Sequence, residues 1–172
     1  VKAISEVTSI PGKKVILFGA GGAARAIGVE MALAGAASIT ILNIDDAGQE
    51  LADLLNGKTS AKADFVLWNY SYRIPADTDI VINATSVGLY PNVDQRLNMD
   101  SDTLLPHMVV ADCIPNPVYT HFVKDAMARG CHHVLPGMNM LVNQAVIAVK
   151  YWTGVDVDAE VMRNELKRVL GL

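Results

Sequence analysis

Short apolar runs alternate with longer amphipathic segments along the chain, and this alternation predicts strands that are separated by helices. Val15-Ile16-Leu17-Phe18 is the first apolar run, and the later runs are rich in Val and Ile. Strands are predicted at about 14–18, 38–42, 63–67, 79–82, 108–111 and 132–135. Helices are predicted at about 22–34, 46–55, 119–129, 138–152 and 158–170. Pro75 predicts an irregular segment at 68–77.

The same alternation predicts the fold class. Strand–helix–strand units with right-handed crossovers form one parallel sheet with helices on both faces. We therefore expect an α/β fold: a doubly wound, Rossmann-like parallel sheet in three layers, α/β/α. Because ligands of such sheets bind beyond the carboxyl ends of the strands, the loops at that edge should be neighbours. These loops are 19–24, 43–47, 83–89, 112–117 and 136–140.

Residues 19–25 carry the most informative motif, because Gly19-Ala20-Gly21-Gly22-Ala23-Ala24 follows the first apolar run directly. Its spacing is a G-x-G-x-x-A variant of the dinucleotide fingerprint. Glycines leave backbone N–H groups and a helix N-terminus open to an anion. Glycines also follow strands in ordinary turns, so the flanking strand and helix are what favour a phosphate site. Arg25, one residue further on, is either a phosphate ligand or a solvated helix residue.

Asn43-Ile44-Asp45-Asp46 follows the second predicted strand. A carboxylate at this place accepts hydrogen bonds from the adenosine ribose and repels a 2′-phosphate. No basic residue lies between 26 and 57, which favours NAD over NADP. The alternative is that Asp45 or Asp46 only caps the next helix, which is expected to end near Asn56-Gly57. Asp45 is the predicted ribose ligand because it lies nearer the strand.

Polar residues at the other strand ends each allow two interpretations. The loop Asn83-Ala84-Thr85-Ser86-Val87-Gly88 either lines a cofactor or forms a plain turn with Asx or ST hydrogen bonds. Asp112 is either a site carboxylate or the cap of a turn. Gln144, on the penultimate helix, is either a half-buried polar group or a ligand of a polyhydroxylated molecule. Asp156 or Asp158 is expected to cap the last helix.

Composition excludes several classes of function. The 172 residues are 51% hydrophobic and 19% charged, which is enough for one core, with or without a small appendage. The formal net charge of −4 and the absence of a basic run argue against nucleic acid, and no apolar stretch is long enough for a membrane span.

Cys113 and Cys131 lack CxxC spacing and fit free thiols in the cytoplasm. Cys131-His132-His133 cannot converge on a metal, since adjacent strand residues point to opposite faces.

Three segments together carry a family resemblance: Gly19 to Arg25, Asp79 to Gly88, and Gly137-x-x-Met140-Leu141-Val142-x-Gln144-Ala145 followed by Trp152-Thr153-Gly154. Their order and spacing resemble the C-terminal, cofactor-binding domain of the shikimate/quinate dehydrogenases. The likeness covers residues 11–172, with two C-terminal helices included. Residues 1–10 are then a linker or the end of a missing N-terminal substrate domain, and the chain is expected to begin inside a longer protein.

The resemblance implies reversible hydride transfer between NAD(P) and a hydroxyl or ketone of shikimate, quinate or a related cyclitol acid. The cofactor-binding residues that it implies, together with those predicted above, are Gly19, Ala20, Gly21, Gly22, Ala23, Asn43, Asp45, Thr85, Ser86, Val87, Cys113 and Gly137. Gln144 would bind the substrate. NADP-preferring members carry Asn-Arg-Thr after the second strand, whereas Asn43-Ile44-Asp45 looks more like the NAD-using members. NAD is therefore the preferred cofactor, with NADP possible.

The chain departs from the family pattern in three ways. The family's catalytic Lys and Asp belong to the N-terminal domain, so no catalytic residue is expected here, and the chain should bind cofactor without turnover. Pro115 replaces a Tyr of an Asp-x-x-Tyr-x-Pro pattern, and Asn139 replaces a Gly. Because of these two changes, the resemblance does not determine which substrate is bound. A folate-type dehydrogenase and a non-catalytic nucleotide-sensing module are the alternative functions, and a monomer or a homodimer is expected.

Overall fold

The computed structural model describes residues 1–170, so the last two residues of the predicted domain 11–172 lie outside it. The helices are α1 (Lys2–Ser5), α2 (Gly22–Leu33), α3 (Ala47–Lys58), α4 (His121–Ala128), α5 (Gly137–Thr153) and α6 (Ala159–Leu170). The strands are β1 (Lys14–Phe18), β2 (Ser38–Asn43), β3 (Lys62–Leu67), β4 (Tyr72–Arg73), β5 (Ile80–Asn83), β6 (Met99–Asp100), β7 (Val109–Asp112) and β8 (His133–Leu135). A 3₁₀ turn covers Ser101–Thr103.

Six of these strands form one parallel sheet in the order β3-β2-β1-β5-β7-β8. The order reverses between β1 and β5, which is the switch point where such sheets open a crevice for a ligand. The register aligns Phe18 with Leu42 and Asn83, and Asn83 with Asp112. The carboxyl ends of the central strands therefore lie side by side. The predicted α/β fold class and the six central strands are confirmed.

Residues of β1 alternate between two cores, because the sheet is covered on both faces. Val15 and Leu17 pack with α2 and α3 on one face. Ile16 and Phe18 pack with α4 and the segment 68–108 on the other face. This arrangement gives the three expected layers. In residues 1–170, none of the helices is both long enough and apolar enough to cross a bilayer.

A second sheet, formed by β4 and β6, was not predicted from the sequence. Its two strands are two residues long each and show no period-2 pattern. The segment is held by tertiary contacts instead. Trp68 donates from Nε1 to the Asn98 carbonyl at 2.9 Å, and its ring lies 5.0 Å from that of Phe18. The burial of Trp68 thus orders residues that looked irregular.

Helix α3 continues to Lys58, beyond the predicted end near Asn56-Gly57. The Asn56 side chain exchanges two hydrogen bonds with the backbone of Ala63, at 2.8 and 2.9 Å. It therefore joins the helix to β3 rather than ending the helix. Asp158 accepts from the Glu160 amide at 2.8 Å, so one of the two candidate caps of α6 is confirmed.

Candidate functional site

The turn after β1 lies at the switch point and is fixed by Gly19. This residue has φ +103°, and a Cβ on it would lie 2.8 Å from the Ala84 carbonyl oxygen. Its amide donates to the Leu42 carbonyl at 2.7 Å. Position 19 therefore requires glycine for its backbone conformation and for the close approach of the loop after β5. The structure brings the first and third predicted loops into direct contact here.

Gly21 and Gly22 differ from Gly19, because a Cβ on either residue would meet no atom within 4 Å. Both are exposed, and Gly21 is the N-cap of α2, with no side chain to occupy the first amides. Nothing within the described fold requires glycine at these two positions. Open amides at a helix N-terminus form an anion site. Ala20 is buried in the core and offers only its backbone, whereas Ala23 is exposed.

Asp45, the predicted ribose ligand, is held in place by its neighbours. Its Oδ1 accepts from the Asn43 amide group at 2.6 Å and from the Ala47 amide at 3.0 Å. Within residues 1–170, Oδ2 takes part in no hydrogen bond, and the side chain is exposed. Asp46 has the N-cap position but makes no capping bond. Asp45 itself, rather than Asp46, therefore caps α3 with one oxygen, and its ribose role stays a prediction.

Arg25 pairs with Glu50, a contact that neither interpretation of the sequence included. Its Nη2 atom lies 2.8 Å from Oε2 of Glu50, in the first turn of α3. The guanidinium is thus not simply solvated, and the pair joins α2 to α3.

The loop after β5 is shaped by Asn83, whose side chain is fully buried. Its Oδ1 accepts from the amide of Thr85 at 3.0 Å and from the Thr85 hydroxyl at 2.7 Å. The Thr85 hydroxyl accepts in turn from the Val87 amide at 3.1 Å. The Asx and ST hydrogen bonds of a plain turn are therefore present. They leave Ser86 exposed at the edge of the crevice.

Asp112 ties this loop to the next one. Its carboxylate accepts from Asn83 Nδ2 at 3.0 Å, from the Ile114 amide at 2.9 Å and from the Thr120 hydroxyl at 2.6 Å. Burial raises the pKa of the Asp112 carboxyl, and these donors oppose the rise. The geometry supports the turn-capping interpretation. Asn83 and Asp112 together hold the loops at this edge of the sheet. This role could not be predicted from the sequence, because it depends on the register of β5 and β7.

Gly137 brings the start of α5 against the loop after β7. A Cβ at this position would lie 2.4 Å from the Ile114 carbonyl oxygen and 2.7 Å from the Cys113 carbonyl carbon. Burial, and then the charge of Asp112, raises the pKa of the Cys113 thiol to about 12. The thiol is therefore protonated at neutral pH and is no nucleophile. Cys113 can offer only packing and a weak S–H donor.

A cleft of about 550 Å³ opens beside this contact, between α1, α2, α5 and the strand ends. Its polar lining includes Lys2, Cys113, Asn139, Asn143 and Gln144. Three neutral amides on one helix can donate and accept hydrogen bonds at once, which suits a molecule with several hydroxyl groups. Asn143 and Lys2 were not predicted as site residues. The i, i+4 spacing of Asn139 and Asn143 is the sequence signal that places both on one helix face.

Lys13 and Lys14 lie at the opposite edge of the sheet. Lys13 Nζ is 2.7 Å from the Asp79 carboxylate, next to the start of β5, and Lys14 pairs with Asp77. Neither side chain faces the crevice. Lys2 is the one lysine in the lining of the cleft, within the part of the chain that the structure describes.

Comparison with known proteins gives a consistent pattern. Residues 137–167 match the family model described as the Shikimate 5'-dehydrogenase C-terminal domain. The chain is 38% identical over 160 residues to a shikimate dehydrogenase (NADP(+)) of Desulforamulus reducens, an alignment that covers 91% of this chain and 55% of that protein. The chain thus spans little more than half the length of the curated relatives that it matches.

Two solved structures are informative. The ligand-free 5-ketofructose reductase of Gluconobacter sp. strain CHM43 superposes with a TM-score of 0.92 and 47% identity, over 98% of this chain and 60% of that one. Shikimate 5-dehydrogenase of Listeria monocytogenes, in complex with shikimate and NAD, superposes with a TM-score of 0.80 and 29% identity, also over 98% of this chain and 60% of that one.

Proposed function

Because the chain belongs to the shikimate/quinate dehydrogenase family, we propose that it is the dinucleotide-binding domain of an oxidoreductase. The enzyme transfers a hydride between NAD(P) and a hydroxyl or ketone group of shikimate, quinate or a chemically similar compound. Residues 1–10 are a linker to a substrate domain or the end of that domain, and they bury Ile4 and Ile10 in the core described here. The free thiols Cys113 and Cys131 suit a reducing, cytoplasmic location.

The observation that carries the proposal is the open space at Gly21 and Gly22. A glycine that the fold itself does not require has a reason to exist if a ligand occupies that space. The amides of the first turn of α2 are directed there, and no acidic residue lies in that turn. The site therefore fits a pyrophosphate by shape and by charge.

When bound, the nicotinamide ring supplies or accepts the hydride. The chain's own residues position the two reactants. The Gly19 turn and the loop at Thr85 and Val87 flank the crevice, and Gly137 allows α5 to close against Cys113. The amide of Gln144 would hold a substrate hydroxyl. A positioned acid–base group must still move a proton. The family resemblance puts that group in the substrate domain, and Lys13 and Lys14 lie at the wrong edge of the sheet to supply it.

The proposed cofactor preference is NAD, and Asp45→Ala tests it. Loss of the carboxylate removes a ribose acceptor and a repulsive charge, so NAD should bind about tenfold more weakly while NADP binds about as before. Asp46→Ala is the matched control, since Asp46 makes no capping bond. Calorimetric titration gives both dissociation constants. An unchanged NAD/NADP ratio in Asp45→Ala would remove Asp45 from the site.

A second substrate class is favoured by a specific observation. The chain is 47% identical to a 5-ketofructose reductase but 29% identical to the shikimate-bound enzyme. It also carries Pro115 and Asn139 at family positions near the expected meeting point of cofactor and substrate, and Asn139 lines the cleft. Reduction of a polyhydroxylated ketone such as 5-ketofructose is therefore the alternative. Gln144 lines the cleft, which disfavours the folate-type alternative. A folate substrate would give the Gln144 side chain no reason to face the site.

Turnover separates these candidates. The parent-length protein is assayed with NADH and NADPH on 5-ketofructose and on dehydroshikimate, and with NAD and NADP on shikimate and quinate. One substrate class should turn over, and the isolated chain should turn over neither. Absence of any turnover by the parent-length protein, with cofactor bound, would favour the nucleotide-sensing module. Turnover by the isolated chain would contradict an external acid–base group, and Lys2→Gln would then show whether Lys2 supplies it.

A further inference from the structure

Resting on the proposed function, we propose that Glu50 lowers the affinity for NADP by engaging Arg25, so that a 2′-phosphate must compete with Glu50 for the guanidinium. The proposed preference for NAD would then depend on two residues. Asp45 acts by its own negative charge, and Glu50, on α3, acts by neutralising the Arg25 guanidinium. Arg25 is the only Lys or Arg between residues 15 and 57. The two loops that would face the adenosine half of a dinucleotide therefore share one positive side chain.

The pair lies where a 2′-phosphate would need its partner. Arg25 belongs to the first turn of α2, since its amide donates to the Gly21 carbonyl at 2.9 Å. Glu50 belongs to the first turn of α3, since its amide donates to the Asp46 carbonyl at 3.1 Å. The ion pair of 2.8 Å joins these two turns. One end begins at the proposed pyrophosphate turn and the other lies beside the proposed ribose ligand.

Both side chains are accessible, with 40% and 70% of their surface exposed. Because an exposed ion pair is weak, competition from Glu50 should lower the affinity for NADP only about fivefold. A free guanidinium binds phosphate strongly, through two parallel hydrogen bonds. While Glu50 is charged, the guanidinium is neutralised, and the charge of the exposed Asp45 carboxylate is left to repel a 2′-phosphate.

The test is Glu50→Gln, which keeps the size and helix propensity of the side chain and removes its charge. We expect the affinity for NADP to rise about fivefold, the upper range for releasing an exposed charge pair, while the affinity for NAD stays within about twofold. The gain should disappear in Arg25→Gln/Glu50→Gln, because the released guanidinium is its source. Calorimetric titration of the 172-residue chain and of these two variants with NAD and NADP measures the six dissociation constants.

Glu160→Gln is the matched control, since Glu160 is an exposed helical glutamate that pairs with Arg163 on α6, away from the crevice. NADP affinity that rises equally in Glu160→Gln and Glu50→Gln would reduce the effect to net charge and overturn the proposal. So would a gain that persists without Arg25. Failure of the unsubstituted chain to bind either dinucleotide would instead contradict the proposed function itself, and with it the inference that rests on it.

Discussion

Replacing Gly21 by valine is expected to weaken NAD binding by at least about 100-fold, which corresponds to roughly 2.7 kcal/mol. The branched side chain would fill the space above the first turn of α2, where a Cβ meets no protein atom. The diphosphate would lose its approach to the amides, and charge-assisted hydrogen bonds of this type are worth about 1.5–3 kcal/mol each. The fold should be little affected. Valine is a poor N-cap, so Tm should fall by no more than about 4 °C.

Gly57→Val is the control for this variant. Gly57 lies in the last turn of α3, and a Cβ there also meets open space. Calorimetry should show NAD affinity unchanged in Gly57→Val and lost in Gly21→Val, with both variants folded by circular dichroism. If Gly21→Val bound NAD as the unsubstituted chain does, the glycine turn would not be the pyrophosphate site.

Replacing Gly137 by alanine is expected to reduce both stability and binding. A Cβ at 2.4 Å from the Ile114 carbonyl oxygen overlaps backbone, and no side-chain rotation relieves the overlap. Either α5 or the loop after β7 must move. We expect the free energy of unfolding to fall by about 2–4 kcal/mol, as for overpacked core positions. NAD affinity should fall as well, because the Cys113 segment moves with the loop.

Gly57→Ala is the matched comparison. It adds the same methyl group, but the expected change in the free energy of unfolding has the opposite sign. In a helix, with open space around it, alanine should stabilise the chain by up to about 1 kcal/mol. Urea denaturation of the two variants measures both changes. Equal stability of Gly137→Ala and the unsubstituted chain would mean that α5 does not pack on the Ile114 backbone as described.

The central fold was predictable because local pattern and topology agree. Each strand of the parallel sheet is a short apolar run, and Phe18 and Leu17 are buried on opposite faces. Handedness rules leave few ways to arrange such strands. The β4–β6 pair escaped prediction because two-residue strands carry no period, and their order depends on the burial of Trp68.

Some features of the site were likewise predictable from the sequence, and others were not. The glycine turn was predictable because its spacing, between a strand and a helix, belongs to one short segment. The Asp112 network and the Arg25–Glu50 pair were not readable, since each joins side chains from separate elements whose register must be known first. The capping role of Asp45 shows the limit most clearly. The sequence places two aspartates side by side, and only the geometry decides which one meets the Ala47 amide.

The most direct measurement is a crystal structure of this chain grown or soaked with NAD. We expect the diphosphate on the amides of Gly21 and Gly22, the adenosine ribose hydroxyls on the Asp45 carboxylate, and the nicotinamide half beside Thr85 and Gly137. Dinucleotide bound elsewhere, or this crevice filled by the chain's own side chains at saturating NAD, would contradict the proposed site.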